Sequence, residues 1–313
     1  MHAERPCTSA PGYRSRAYAE SLGMAERVLD LPLCGGHLLE RAIGTSGRFD
    51  ACGAYPVFSC DAPGRLPEDI AALAARPGEL VSITLVADPL LEWDLDALRG
   101  AFAHVRGLGP HYVVDLDRDT LPLPSSHHRR KLRQAAAYPT EIRVESDPPS
   151  LGADWAALYE VLIGQVGITG VRRFSRPIFE RMLRLPGTVV FTAWDGKELL
   201  GADWYLEDGA RIYAHLSAYA LAGYARAVSY PMLDFALRHF AARGARVLDL
   251  GGVPLVEGGG RGLAQFKQGW ATRTLPAWLC GRVLDAEAYA QLSASMTPDA
   301  AGYFPRYRWG EFG

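Results

Sequence analysis

No stretch of this sequence reaches the roughly 18 to 20 consecutive apolar residues needed to cross a bilayer, although 49% of its residues are hydrophobic. A soluble globular protein without membrane insertion is expected. The N-terminal MHAERPCTSAPGYRSRAY has no apolar core after its charges and does not read as a secretory signal, so a cytoplasmic location is expected. Cysteine is scarce and odd in number: Cys7, Cys34, Cys52, Cys60 and Cys280 are scattered, without CxxC spacing or a neighbouring histidine cluster. That argues against a disulfide framework or a zinc site and for reduced, mostly buried thiols. Neither charge sign dominates, the formal net charge being −2, which excludes a whole-surface nucleic-acid footprint and leaves room for a local basic patch. The GxxxxGK[ST] pattern is missing too, so the glycine-rich PLVEGGGRG at 254–262 is not a nucleotide-triphosphate loop.

What is there is enough chain for a substantial core. The 313 residues allow two domains or one large one. Residues 1–20, rich in Pro, Ser and Arg, are expected to form a flexible arm. Cys34 to Gly53 has no regular pattern. Beyond it Ala54 to Cys60 reads as a strand, Pro67 to Ala75 as a helix, Leu80 to Val86 as a strand, Asp96 to Val105 as a helix and His111 to Leu116 as a strand, an α/β alternation. After the proline-punctuated LPLPSS comes His127-His128-Arg129-Arg130-Lys131-Leu132-Arg133. Ser125 or Ser126 can cap this helix, but positive charge in a first turn opposes the helix dipole. Two readings stand, a solvated basic face or a phosphate or tRNA-backbone contact through Arg129, Arg130 and Arg133.

Asp147-Pro148-Pro149-Ser150 reads as the main linker. This divides the chain into 21–146, ending with the basic helix 125–137, and 147–313. In the second part Asp154 to Ile163 and Ser175 to Leu185 fit amphipathic helices, the latter with Ser175 as N-cap. Val189 to Trp194 and Lys197 to Glu207 flank an Asp195-Gly196 hairpin turn. The richest stretch is Arg211 to Trp270: a strand to Ala218, a helix through Pro231, a short apolar strand Val247 to Leu250, the 254–262 loop and a last helix. A final strand is expected over Leu275 to Leu284.

The order of two helices, an antiparallel meander, then helix, strand, helix and strand resembles a GNAT-type acyltransferase domain. YAHLSA, VSYPMLDFALRHFAARGARVLDLGG and GLAQFKQGW resemble the C-terminal half of Fem-type aminoacyltransferases and FemAB-like acetyltransferases. RRKLRQA resembles that family's basic helix joining two GNAT-like halves. The resemblance covers about 125–285 and implies an α/β (α+β) fold of two GNAT-like subdomains, each a mixed, mostly antiparallel sheet flanked by helices. It also implies amide formation. An aminoacyl group would pass from aminoacyl-tRNA, a co-substrate and not a tightly bound cofactor, to an amine of a small peptide-like or cell-wall-precursor acceptor. The alternatives are an acyl-CoA-dependent N-acyltransferase and a non-catalytic GNAT-like binding protein. The oligomeric state stays open, a monomer being favoured.

Acyl transfer from an activated donor needs positioning and oxyanion stabilisation more than covalent help. Strands ending at Ala218 and Gly252 are expected to splay apart and free backbone amides for the donor. Lys267, beside an apolar stripe of Leu263, Phe266 and Trp270, is the first candidate catalytic side chain, set against either a donor phosphate or the oxyanion; a plain surface lysine is the competing reading. His215, oriented by a neighbouring carboxylate, and Asp249 are acid–base candidates that can equally be structural. Phe266, Tyr224 and Arg226 are assigned to the donor. Tyr224 and Arg226 precede the helix whose N-terminus in GNAT domains holds the donor pyrophosphate. The acetyl-CoA glycine signature is missing there, which favours a tRNA-borne donor. Tyr213, Asp203 and Arg261 are assigned to the acceptor, with Glu257 the other charge of the glycine-rich loop.

Overall fold

The computed structural model describes residues 11–76, 78–117, 119–253, 260–294, 296–297 and 302–311. In chain order the elements are helix α1 (Arg16–Ser21), strands β1 (Arg27–Leu31), β2 (Gly36–Ala42) and β3 (Phe49–Gly53), α2 (Leu66–Ala74), β4 (Ser82–Ala87), α3 (Leu95–Ala101), β5 (His104–Gly107), β6 (His111–Asp115) and α4 (Ser126–Ala135). They continue with β7 (Glu141–Val144), α5 (Gly152–Val166), α6 (Arg176–Met182), β8 (Thr188–Asp195), β9 (Glu198–Asp208), β10 (Arg211–Tyr219) and α7 (Leu221–Ala225). The last are α8 (Ser229–Ala242), β11 (Val247–Asp249), α9 (Arg261–Trp270), β12 (Arg273–Leu275), β13 (Trp278–Val283) and α10 (Ala286–Ser293). Among the described residues no helix is long and apolar enough to cross a membrane.

Two mixed sheets flanked by helices organise the chain, each in its own compact unit, which is the two-subdomain α/β layout expected. One unit comprises Tyr13–Leu108, Thr169–Arg172 and Pro276–Gly313. Its six strands run in the order β1-β2-β3-β4-β13-β5, with β3·β4 as the parallel pair. Its core gathers Leu38, Phe58, Ile70, Ile83, Leu85 and Phe102. The C-terminal segment is tied in by charge: Arg308 bonds Asp50 at 2.9 Å and Arg41 bonds Asp50 and Glu311. Asp50 is buried, and two guanidinium partners offset the cost of its desolvation.

The other unit comprises Met1–Gly12, Gly109–Ile168 and Arg173–Leu275. Its seven strands run β12-β6-β11-β10-β9-β8-β7, and β10·β11 is the parallel pair. One face is covered by α8, whose Met232, Leu233, Ala236, Leu237 and Phe240 repeat at helical spacing and are all buried. Trp155 of α5 meets Trp204 of β9 edge-on, their ring centroids 5.4 Å apart, and Phe179 of α6 packs on Trp155.

Several sequence expectations are corrected. Residues of the expected N-terminal arm form α1, with Tyr18 fully buried; 1–10 lie outside the described residues. The division does not fall at 146/147. β6 hydrogen-bonds to β11 and β12, drawing 109–146 into the second unit, while β13 returns to the first sheet between β4 and β5. Ala54 to Cys60 is no strand: Pro56 lacks an amide, and Phe58 alone bridges to Ala87. The strand is Phe49–Gly53, within the stretch that had no regular pattern. The helix expected to Val105 stops at Ala101 because Phe102 turns extended and buries, and His104–Gly107 then pairs with β13. The single last strand is two, separated by Pro276 and belonging to different sheets.

Candidate active site

The site lies where β10 and β11 part. Their parallel pairing is confined to Arg211–Tyr213 against Val247–Asp249, while β10 runs on to Tyr219 bonded to β9 alone among the named strands. A register shift between Ala214 and Leu216 leaves His215 as the bulged residue at the start of the divergence. β11 instead follows β6: Leu250 N–H donates to Tyr112 O at 2.8 Å and Tyr112 N–H to Gly251 O at 3.2 Å. The expected splay of the two strands is therefore present.

Asp249 ends β11 and is 4% exposed. Its Oδ1 accepts the Gly251 amide at 2.7 Å, and its Oδ2 lies 2.7 Å from His111 Nδ1. This tight turn is possible because Gly251 adopts φ +76°, which a side chain disfavours. A Cβ on Gly252 would lie 3.2 Å from His111 Cδ2, so the imidazole stands against that glycine. Lys267 Nζ donates to Gly252 O at 2.6 Å. Burial pushes the Lys267 ammonium down to about 8, opposed by the Asp249 charge. Gly252 thus has both an imidazole and an ammonium as neighbours.

Lys267 is placed by packing beneath α9. His128 of α4 is buried, its Nε2–H donating to Phe266 O at 2.8 Å and its Nδ1 accepting from Ser125 Oγ at 2.9 Å. Tyr230 and Trp270 meet this ring edge-on and Phe266 stacks on it. Desolvation holds the His128 imidazole below its ordinary value. Gly269 admits the ring: a Cβ there would sit 2.1 Å from His128 Cε1. Phe266, assigned to the donor from sequence, is part of this support. Leu263 is 42% exposed, so the buried stripe of α9 is narrower than expected.

The remaining sequence candidates scatter. His215 is buried against Trp204, and burial lowers its imidazole to about 3. The carboxylate expected to orient it, Asp249, is bound to His111 instead. Tyr213 and Asp203 are 1% and 2% exposed, on strand segments buried on both faces, as Ile212 beside Tyr213 and Ala202 and Trp204 beside Asp203 show, and they do not line an open acceptor pocket. Asp203 accepts from Tyr219 OH at 2.5 Å, and burial raises its carboxyl to about 6. Arg226 is ion-paired to Asp195 at 2.5 Å and stands over the Tyr138 ring, while Tyr224 is 43% exposed. Arg261 is exposed at the start of α9; Glu257 and the rest of 254–259 lie outside the described residues. On α4, capped by Ser125, Arg129, Arg130 and Arg133 are exposed, and none has an ion pair among the described residues.

Four amides of the loop before α8 are bonded within it. Arg226 N–H donates to Ala222 O, Ala227 N–H to Tyr224 O, Val228 N–H to Gly223 O and Tyr230 N–H to Ala227 O. Pro231 has no amide.

Residues 125–268 match the family model of the acetyltransferase (GNAT) domain. The whole chain is similar in structure to FemX, with TM-score 0.67, 13% identity and coverage of 90% of this chain and 95% of that one. The chain carries a GNAT-type domain and shares its fold with FemX. Its matched domain is an acyltransferase domain. It is also similar to the C-terminal domain of a protein described as a lysylphosphatidylglycerol synthetase from Agrobacterium fabrum, with TM-score 0.60, 16% identity and coverage of 90% and 93%. L-PGS from Bacillus licheniformis gives TM-score 0.56 and 12% identity, covering 88% of this chain and 93% of that one. No curated protein matches it in sequence.

The residue that sequence reasoning missed is His111. The register Asp249↔Val113 makes His111 a diagonal neighbour of Asp249 across an antiparallel ladder that joins residues 138 positions apart. A histidine opening the HYVVDL strand was the one local signal.

Proposed function

We propose that the protein forms an amide by transferring an aminoacyl group from aminoacyl-tRNA to an amine of a small peptide-like or cell-wall-precursor acceptor. The observation that carries this reading is Lys267, whose desolvated ammonium stands over Gly252 at the divergence of β10 and β11. An ammonium there, with donors beyond the one bonded to Gly252 O, suits the oxyanion that forms when an acyl carbonyl is attacked. The donor preference rests on the loop before α8. A pyrophosphate is held by free amides at a helix start, and here the amides of Arg226, Ala227, Val228 and Tyr230 are bonded within the loop. This disfavours a CoA donor. Arg129, Arg130 and Arg133 on α4, without an ion pair among the described residues, suit a polyanionic one.

A second reading, an acyl-CoA-dependent N-acyltransferase, is favoured by the match of 125–268 to the acetyltransferase domain. Incubation with a charged-tRNA pool and a bacterial metabolite extract, followed by mass spectrometry for new amides, separates the two. Product lost after ribonuclease treatment supports the tRNA donor; product formed with acetyl-CoA alone reverses the ranking. No product in either arm leaves a binding protein.

A further inference from the structure

We propose that His111 is the general base of the transfer, taking the proton of the attacking amine on Nε2 while Asp249 fixes Nδ1–H; this rests on the acyl-transfer reading above. Three observations meet at this histidine. The Asp249 carboxylate is held from both ends, by the Gly251 amide on Oδ1 and by the imidazole on Oδ2. A carboxylate so held on Nδ1 selects the tautomer with its lone pair on Nε2. Nε2 carries no hydrogen bond among the described residues, and the side chain retains 11% exposure. The ring stands against Gly252, the residue whose carbonyl holds Lys267 Nζ. A base and an oxyanion donor therefore neighbour one backbone position beside the diverging strands. No other histidine among the described residues combines these features: His215 is buried in the bulge against Trp204, and both nitrogens of His128 are bonded under α9.

The step balances with these two side chains. The amine nitrogen forms a bond to the donor carbonyl carbon, and the carbonyl π pair moves to oxygen as an oxyanion beside the Lys267 ammonium. The nitrogen gives one proton to His111 Nε2, making an imidazolium stabilised by Asp249. Collapse of the oxyanion re-forms the carbonyl and breaks the bond to the ribose oxygen, which receives the proton from Nε2. The products are the amide and the free hydroxyl of the tRNA terminus, with His111 returned to its starting form. His111 contacts the reacting nitrogen and is catalytic; Asp249 is a positioning residue.

The test uses the full chain, total bacterial tRNA charged with a mixture of amino acids, and the metabolite extract as the acceptor source, with acetyl-CoA in a parallel arm. His111→Gln is expected to lower kcat by about 10²- to 10⁴-fold with little change in KM for the donor, and added imidazole to restore part of the rate of His111→Ala. Asp249→Asn is expected to lose less, and the histidine ring ¹⁵N spectrum to lose its single Nδ1–H tautomer. If His111→Gln is folded and turns over at the wild-type rate while Lys267→Met does not turn over, the base assignment falls and acyl transfer stands. If wild type consumes neither donor, the functional reading falls and the base assignment with it. An unchanged ring tautomer in a folded Asp249→Asn variant overturns the positioning role.

Discussion

At the scale of single residues, the site shows how burial sets charge. Lys267 titrates near 8 because its ammonium is desolvated, so both the folded and the unfolded chain carry it protonated below that pH. The folded state there bears a burial penalty that disappears as pH rises from about 8 to the ordinary lysine value of 10.5. Lys267→Met is expected to lower kcat by about two to three orders of magnitude. It should also melt above wild type at neutral pH, with a difference that shrinks towards pH 10; thermal melts across pH check this, and a difference independent of pH would contradict it. Asp203 runs the other way. Its carboxyl is raised from 3.8 to about 6 by burial, so the stability it contributes is present below pH 4 and lost as pH climbs through 6. Asp203→Asn retains the shape and removes the charge, and should gain on wild type between pH 4 and 6 in calorimetric melts.

At the scale of elements, α9 owes its position to α4. The His128 ring is fixed by two hydrogen bonds and fits because residue 269 is glycine. Gly269→Ala is expected to destabilise by about 1–3 kcal/mol, outweighing the roughly 1 kcal/mol that alanine gains in a helix. In a His128→Ala background the same change should become neutral or stabilising, and a double-mutant cycle by denaturant unfolding reads this reversal. The outer face of α4 has a separate purpose in the proposed function. Replacing Arg129, Arg130 and Arg133 by alanine should weaken tRNA binding and reduce its salt slope by about one for each phosphate that the helix no longer neutralises. Filter binding across a salt series measures it, and an unchanged slope would return α4 to a solvated face.

At the scale of the whole molecule, the chain is threaded so that its last part completes its first sheet. β13 lies between β4 and β5, and Arg308 and Glu311 clasp Asp50 and Arg41. A chain ending at Leu275 leaves Ser82–Ala87 without an antiparallel partner. It should expose 13–108 to limited proteolysis, whereas full-length protein resists; equal resistance would refute this account of the threading. The sequence by itself determined the α/β alternation, the hairpin at Asp195-Gly196, the basic helix after the LPLPSS break, and Lys267 as a functional candidate. Those features are local, written in turn chemistry, apolar period and charge within a few residues. Only the tertiary structure decided that β13 belongs to the first sheet, that both faces at Asp203 and Tyr213 are covered, and that Asp249 holds His111 and not His215. Each depends on pairing and packing between distant segments, which local pattern does not encode.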